Sequence, residues 1–288
     1  MAYRSILRQD CFAGHTVVVT GAGSGIGRCI AHELASLGAH VLITGRKREK
    51  LERVLGEIAE DGGSGEAHDF DIRDEDAVKS AVSAIVERHG FIHGLVNNAG
   101  GQFPAPMEAI SKKGFEAVVS TNLTGGFLMM REVYALSMWK NGGAIVNIAA
   151  DFWRGMPGMA HSGAARAGMS NLTQTAAYEW GRAGVRVNCV APGWVASSGM
   201  DTYEGPVRDI IPTLGDRVPL GRLANEAEVS ALVCFLLSPA ASFITGATIP
   251  VDGGAPLGSP LFPLAQGKGT EPFDGFHRAV TPAVLEGR

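Results

Sequence analysis

The chain has 288 residues, of which 45% are apolar, and a formal net charge of -4. The length suits one large domain or two small ones, and the composition is ordinary for a globular protein with a substantial core. The weak negative charge gives no indication of a nucleic-acid partner, and no apolar run is long enough to cross a membrane.

Four cysteines are widely scattered, at Cys11, Cys29, Cys189 and Cys234. They predict reduced thiols in a cytosol-like compartment and neither disulfides nor a metal site. The first fifteen residues lack the apolar core of a secretory signal, and the final LEGR is not a peroxisomal address. We therefore expect a cytoplasmic protein without a metal site.

Short apolar runs alternate with helical stretches along most of the chain. Strand-like runs are expected at 15–21, 40–45, 66–72, 94–100, 144–150, 185–193 and 247–254. Helical stretches at 23–38, 46–60 and 75–89 separate the first four runs, and longer ones follow. This alternation predicts an α/β fold, a Rossmann-type doubly wound parallel sheet of about seven strands with helices on both faces.

A glycine-rich turn, TGAGSGIG at 20–27, lies between the first strand and the first helix. Glycines let the backbone turn tightly and approach a pyrophosphate, and the helix N-terminus offers free N–H groups. Such a turn can also be a simple connection, but after the first strand of an alternating chain it predicts a dinucleotide site. The cofactor contacts expected here are Gly21, Ser24, Gly25, Ile26 and Gly27.

The second strand ends in Arg46 and Lys47 instead of an acidic residue. An acid would bind the ribose 2′-hydroxyl of NAD, whereas two bases pair with the 2′-phosphate of NADP(H). Arg28, which follows the glycine turn, is a further candidate for this phosphate. The alternative is that the bases simply begin an exposed helix.

The spacing of Gly21, Gly25 and Gly27 resembles that of the short-chain dehydrogenase/reductase superfamily. Its other motifs follow in order over residues 12–254: Asn97-Asn98-Ala99-Gly100, Asn122 in TNLTGG, Pro192-Gly193 and Asp252-Gly253-Gly254. The resemblance implies a catalytic Asn122 and a homodimer or homotetramer. It also implies cofactor contacts at Asp71, Ile72, Asn98, Ala99, Gly100, Pro192, Gly193 and Val195.

The chain departs from the superfamily where catalysis is usually carried out. Ala149 and Ala150 replace the serine that ends the fifth strand, while Ser162 and Arg166 occupy the tyrosine and lysine positions of Y-x-x-x-K. The other tyrosines lie outside the motif. Serine is a poor acid near neutral pH and arginine stays protonated, so alcohol–ketone interconversion is poorly served.

Conjugate reduction of an α,β-unsaturated thioester makes different demands. It needs donors for an enolate oxygen and a proton for the α carbon. Ser162 and Arg166 suit the oxygen, and Arg166 also suits the cofactor's ribose.

Three longer runs, 97–103, 161–173 and 234–246, resemble the peroxisomal trans-2-enoyl-CoA and 2,4-dienoyl-CoA reductases. In the peroxisomal enoyl reductases a tyrosine lies eight residues after the serine, where this chain has Ser170. The proton donor is therefore open. His161 is one candidate, because histidine titrates near neutrality, although a structural role is the alternative.

Residues 1–254 are expected to form the reductase domain, with a mobile substrate lid at 194–220 and a Gly/Pro-rich tail at 255–288. The tail is expected to be disordered or to wrap a neighbouring subunit. Apolar side chains beyond the strand ends suit an acyl chain: Phe103, Phe152, Trp153, Met156, Met159, Trp194 and Met200.

These features predict NADPH-dependent reduction of the carbon–carbon double bond of a 2-enoyl or 2,4-dienoyl thioester such as an acyl-CoA. Two alternatives stay open. One is a short-chain dehydrogenase acting on another carbonyl or alcohol, such as a terpenoid. The other is an NADP(H)-binding protein that has lost catalysis.

Overall fold

The computed structural model describes residues 2–257, 264, 267 and 269–286. Its main strands are β1 Thr16–Thr20, β2 His40–Gly45, β3 Ser64–Asp69, β4 Gly94–Asn97, β5 Gly143–Ile148, β6 Val185–Pro192 and β9 Thr248–Val251, and a small pair consists of β7 Val195–Ala196 and β8 Ala224–Asn225. The main sheet has the order β3-β2-β1-β4-β5-β6-β9, and each neighbouring pair is parallel. The predicted Rossmann-type doubly wound sheet of about seven strands is confirmed.

Helices cover both faces of this sheet. They are α1 Gly25–Ser36, α2 Arg48–Glu60, α3 Glu75–His89, α4 Lys112–Val119, α5 Gly125–Val133, α6 Trp139–Asn141, α7 Ala160–Trp180, α8 Gly205–Ile210 and α9 Glu226–Leu237. In β1, Val17 and Val19 pack towards α1, α2 and α9, whereas Val18 packs towards α3, α5 and α7. Among the described residues, no helix has the length and apolar character needed to cross a membrane.

The third strand begins and ends earlier than expected, at Ser64–Asp69 instead of 66–72. The chain leaves the sheet because Asp71 accepts a hydrogen bond from the backbone N–H of Arg73 at 3.0 Å. Asp74 then caps α3 by accepting from two backbone N–H groups. Because β3 is a half-exposed edge strand, its apolar pattern was too weak to fix these bounds.

The described part of the C-terminal tail, 269–286, packs against its own chain. Phe276 is buried beside α1, and Arg278 forms an ion pair with Asp61 at the end of α2, at 2.9 Å. Further on, the backbone N–H groups of Ala283 and Val284 donate to the lid carboxylate of Asp201. These described residues of the tail are therefore ordered on their own chain, which differs from the expected disorder.

Candidate active site

A cavity of about 760 Å³ opens at the carboxyl edge of the sheet, where ligands of open α/β sheets bind. The predicted residues that line it are Gly21, Ser24, Ile26, Arg46, Lys47, Asp71, Ile72, Asn98, Ala99, Gly100, Arg166, Pro192, Gly193 and Val195. The other four predicted residues, Gly25, Gly27, Asn122 and Ser162, do not line it. Lys50, Arg73, Gln102, Asp151 and Tyr203 do line it, although they were not predicted as site residues.

The glycine turn and the turn after β4 fit closely together. A Cβ on Gly21 would lie 2.7 Å from the Cα of Ala99, and one on Gly27 would lie 2.3 Å from the Nδ2 of Asn98. Gly21 and Gly25 also have positive φ angles of 66° and 59°. The backbone therefore forms a cradle at the N-terminus of α1 that only glycine permits, and this cradle suits a pyrophosphate.

Positive side chains surround the end of β2. Arg46 and Lys47 are exposed at the cavity wall. Nearby, Arg73 binds both carboxylate oxygens of Asp71, at 2.5 and 2.9 Å. This pairing holds the pKa of Asp71 below its usual range. The wall combines an oriented carboxylate with several cations, which suits an adenosine that carries an extra phosphate.

Arg28 lies elsewhere, so its predicted role at the phosphate is wrong. Its Nε donates to Glu57 at 2.7 Å, and its Nη1 donates to the backbone oxygen of Arg278 at 3.1 Å. The guanidinium also stacks over the ring of Phe276. The turn of α1 directs this side chain towards α2 and the tail, away from the cavity.

A buried carboxyl, Glu226, lies behind the glycine turn. Only 8% of the residue is exposed, and a Cβ on Gly25 would lie 3.9 Å from its Oε1. Burial raises the pKa of Glu226 to about 7, and the nearby positive charge of Arg28 opposes this only in part. Folding therefore favours the neutral form of this carboxyl.

The free energy of unfolding should consequently depend on the charge of Glu226. The stability that its neutral form contributes is complete below the unfolded pKa of about 4.3 and is lost as the pH rises through about 7. At pH 8, Glu226→Gln should stabilise the protein by about 1–3 kcal/mol, with almost no effect at about pH 4, below the unfolded pKa. Thermal melts at both pH values test this. An equal shift at both pH values, or the same shift in the exposed control Glu204→Gln, would contradict it.

Asn122 holds the loop after β4. It lies in a π-helical turn, Ser120–Thr124, between α4 and α5, a rare element that often marks functional sites. Its Oδ1 accepts from the N–H of Gly101 at 2.9 Å, and its Nδ2 donates to the oxygen of Gly101 at 2.7 Å. A Cβ on Gly100 would meet this Oδ1 at 2.7 Å. Asn122 therefore shapes the cavity wall from behind.

The guanidinium of Arg166 lies at the floor of the cavity. Its Nη1 donates to the backbone oxygen of Ile148, the last residue of β5, at 2.5 Å. Its buried Nε has no hydrogen-bond partner among the described residues. Burial lowers the pKa of Arg166 to about 10, so the group is still a cation at neutral pH. An unpaired buried donor of this kind is suited to a bound ligand.

A hydrogen-bonded chain joins Ser162 to the lid. The fully buried Ser162 Oγ donates to Gln102 Oε1 at 2.6 Å, and Gln102 Nε2 donates to Tyr203 Oη at 2.9 Å. The phenol is thus an acceptor, and its own proton has no acceptor in the part of the chain that the structure describes. Within this series of hydrogen bonds, the hydroxyl of Tyr203 is therefore the group that is free to donate a proton to a ligand.

The other candidate proton donors differ in position. His161 is fully buried outside the cavity lining, and its Nδ1 accepts from the N–H of Ser162 at 2.8 Å. Ser170 shares a hydrogen bond of 2.7 Å with Thr248. Asp151 does line the cavity, and burial, aided by the charge of Asp252, raises its pKa. Tyr203 and Asp151 therefore reach the cavity, whereas His161 does not; the other carboxylate there, Asp71, is paired with Arg73.

The lid supplies much of the apolar wall. Of the side chains predicted to hold an acyl chain, Met156, Met159, Trp194 and Met200 line the cavity, whereas Phe103, Phe152 and Trp153 do not. The lid adds Val207, Ile210, Ile211 and Leu214. The tail packs Val284 and Leu285 against part of this lid cluster, so the tail supports the lid.

The sequence profile of a family described as enoyl-(acyl carrier protein) reductase matches residues 21–256. The chain is a short-chain dehydrogenase/reductase. This confirms the family resemblance and makes the protein an oxidoreductase. A probable 2,4-dienoyl-CoA reductase of Bacillus subtilis (strain 168) is 37% identical over 243 residues, which cover 83% of this chain and 95% of that protein.

Solved members of the family have the same fold. The citronellol catabolism dehydrogenase AtuB of Pseudomonas aeruginosa PAO1 is 59% identical, with a TM-score of 0.80 over 88% of this chain and 99% of that one. A putative NAD(P)-dependent gluconate 5-dehydrogenase of Beutenbergia cavernae, solved with NADP at low occupancy, is 34% identical. Its TM-score is 0.81 over 87% of this chain and 100% of that one.

Proposed function

We propose that this short-chain reductase uses NADPH to reduce the carbon–carbon double bond of a 2-enoyl or 2,4-dienoyl thioester, such as an acyl-CoA. The observation that carries the proposal is Ser162 and Arg166 in the places of the usual tyrosine and lysine. This pair cannot easily exchange a proton with an alcohol oxygen, but the Arg166 cation at the floor of the cavity can stabilise a negative charge on an oxygen that is never protonated.

NADP(H) fits the residues present. The glycine cradle suits the pyrophosphate, Arg46 and Lys47 suit the 2′-phosphate, and the unpartnered Nε of Arg166 suits a ribose hydroxyl. When bound, NADPH supplies the hydride that the β carbon accepts. Asn122 and Gly100 keep the loop after β4 close to Arg166, so the floor of the site is rigid before the ligand binds.

Tyr203 is the acid of the proposed reaction. Its O–H bond breaks, and the proton joins the α carbon through the electron pair of the enolate double bond, so that the thioester carbonyl reforms. The half-buried phenolate then takes a proton from water. Gln102 aligns the phenol, and the Ser162 hydroxyl fixes Gln102 in turn by donating to its Oε1.

A second candidate is a dehydrogenase for a terpenoid alcohol. The observation in its favour is the 59% identity to the citronellol catabolism dehydrogenase. Oxidation of an alcohol requires a base for the hydroxyl proton. Asp151 is the candidate at the cavity, because the carboxylate of Asp71 is paired with Arg73. The burial that raises the pKa of Asp151 makes the carboxylate harder to form but a stronger base.

The two candidates are separated by a substrate panel. Straight and branched 2-enoyl-CoA thioesters and a 2,4-dienoyl-CoA are mixed with NADPH, and citronellol and a matched ketone are tested with the oxidised and reduced cofactor. The proposal predicts consumption of NADPH with the unsaturated thioesters alone. Turnover of citronellol alone would support the second candidate, and tight NADPH binding without any turnover would indicate a non-catalytic protein.

The preference for NADPH is tested at the end of β2. Arg46→Ala combined with Lys47→Ala should raise the KM for NADPH by about 10–100-fold, because the two exposed side chains together contribute about 1.4–2.8 kcal/mol to binding the 2′-phosphate. The KM for NADH should stay within about threefold, since NADH has no 2′-phosphate. Lys112 on α4 is exposed and does not line the cavity, so Lys112→Ala is the matched control. Equal loss with both cofactors would contradict the assignment.

We further propose a cytoplasmic homodimer or homotetramer. The segment from α4 to α6, which includes a π-helical turn at Tyr134–Met138, carries several half-exposed apolar side chains that suit a subunit interface: Phe115, Phe127, Leu136 and Trp139. All four cysteines are free thiols, which suits a reducing compartment.

A further inference from the structure

Three histidines converge on one glutamate near the edge of the sheet. His40 begins β2, Glu66 and His68 lie on the edge strand β3, and His89 ends α3. None of the four lines the cavity described above. The cluster is therefore a separate feature, assembled from three elements that the sequence leaves far apart.

The nitrogen–oxygen distances within this cluster are longer than those of hydrogen bonds. From the Glu66 carboxylate oxygens, the Nε2 atoms lie at 3.5 Å for His89, 3.6 Å for His40 and 4.0 Å for His68. All three Nε2 atoms are buried and have no hydrogen-bond partner among the described residues. Nitrogen–oxygen hydrogen bonds are normally about 2.7–3.2 Å long, so the imidazoles face the carboxylate without bonding to it.

The same distances suit ligands that share a metal ion. Zinc–nitrogen and zinc–oxygen bonds of about 2.0–2.1 Å place tetrahedral ligand atoms about 3.3 Å apart. Ligand atoms of His40, Glu66 and His89 all lie within 4.8 Å of one another. Closing the set around an ion therefore needs movements of about 1 Å, which small side-chain rotations provide.

We propose that His40, Glu66 and His89 bind one Zn²⁺. Borderline-soft Zn²⁺ is suited to several imidazoles and one carboxylate. The Nδ1 of His40 lies 3.0 Å from the Oγ of Ser64, a contact that fixes the ring with its Nε2 towards the site. The ion satisfies the unpaired ring nitrogens and ties the edge strand to the end of α3.

Arg88 competes with the ion for the carboxylate of Glu66. Its guanidinium lies 3.3 Å from Glu66, but 69% of its side chain is exposed. It neutralises the carboxylate when the metal is absent, and it has room to move into solvent when the metal binds. Its removal should therefore favour zinc, which a purely structural histidine cluster would not predict.

Calorimetric titration of the full-length, untagged, EDTA-treated chain with ZnCl₂ tests the proposal. We expect one ion per chain with a Kd of about 1 μM or tighter, and a rise in Tm of a few degrees at saturating zinc. His40→Gln combined with His89→Gln should weaken binding at least about 100-fold. Arg88→Gln should tighten it several-fold, and His15→Gln, outside the cluster, should match the wild type.

A second readout separates a defined site from adventitious binding. Co²⁺ should give the intense visible absorption of tetrahedral coordination in the wild type and not in the double variant, whose metal-free melt reports whether it folds. Turnover should be the same with and without zinc, because the cluster lies outside the cavity. Absence of binding at about 100 μM zinc, or unchanged binding in the double variant, would overturn the proposal.

Discussion

Tyr203→Phe is expected to lower kcat for an enoyl thioester by about 10²–10³-fold, the usual contribution of a positioned general acid. The substitution removes only the hydroxyl at the end of the chain from Ser162 through Gln102. The ring that packs in the lid cluster with Met200, Ile211 and Leu214 is kept, so the KM should change by no more than about threefold. Steady-state kinetics and thermal melts measure both quantities.

Three further variants sharpen this test. Tyr178→Phe changes a phenol that is 90% exposed and should leave turnover unchanged. Gln102→Leu removes the hydrogen bonds that join Ser162 to Tyr203 but keeps the phenol, so its kcat should lie between those of the wild type and Tyr203→Phe. Asp151→Asn examines the other acid at the cavity. If Asp151→Asn abolishes turnover while Tyr203→Phe is within about threefold of the wild type, the acid is Asp151 and not Tyr203.

Arg166→Met should have the other large effect. Removing a preorganised donor from an oxyanion site typically lowers kcat by about 10²–10³-fold. The Kd for NADPH should also rise about tenfold if the unpartnered Nε contacts the ribose. Methionine fills a similar volume, and the lost cation is one whose pKa burial already lowers to about 10, so the fold should tolerate the change.

Arg166→Lys is the matched control for charge. It keeps a cation but loses the forked donors, so it should recover part of the NADPH affinity and little of the turnover. Fluorescence titration with NADPH and initial rates separate the two effects. Wild-type rates in Arg166→Met would show that the floor of the cavity plays no part in the reaction.

Much of the fold followed from the order of short apolar runs and turns. Both faces of a parallel sheet are buried, so the central strands are nearly continuous apolar runs, as in Thr16–Thr20 and Val185–Pro192. The edge strand Ser64–Asp69 has half-exposed positions, and there the sequence misplaced the bounds. The glycine cradle was predictable because its turn chemistry is local to residues 20–27.

The proposed acid, Tyr203, was not predictable from the sequence, because its position depends on a contact between distant loops. Gln102 and Tyr203 are 101 residues apart, and no periodicity sets the position of a lid. Gln102 did carry one signal, since it lies in the run 97–103 that resembles the enoyl reductases. The error at Arg28 has a similar cause. Its direction is set by Glu57 and by the tail carbonyl of Arg278, neither of which is near in sequence.

Conjugate reduction is tested most directly by tracing hydrogen into the product. The wild-type enzyme is given a trans-2-enoyl-CoA and NADPH in D₂O, and the saturated product is analysed by mass spectrometry and NMR. We predict one deuterium at the α carbon, donated by an exchanged acid, and a protium from the cofactor at the β carbon. An unreduced double bond, together with oxidation of citronellol by the same preparation, would contradict the proposed reaction.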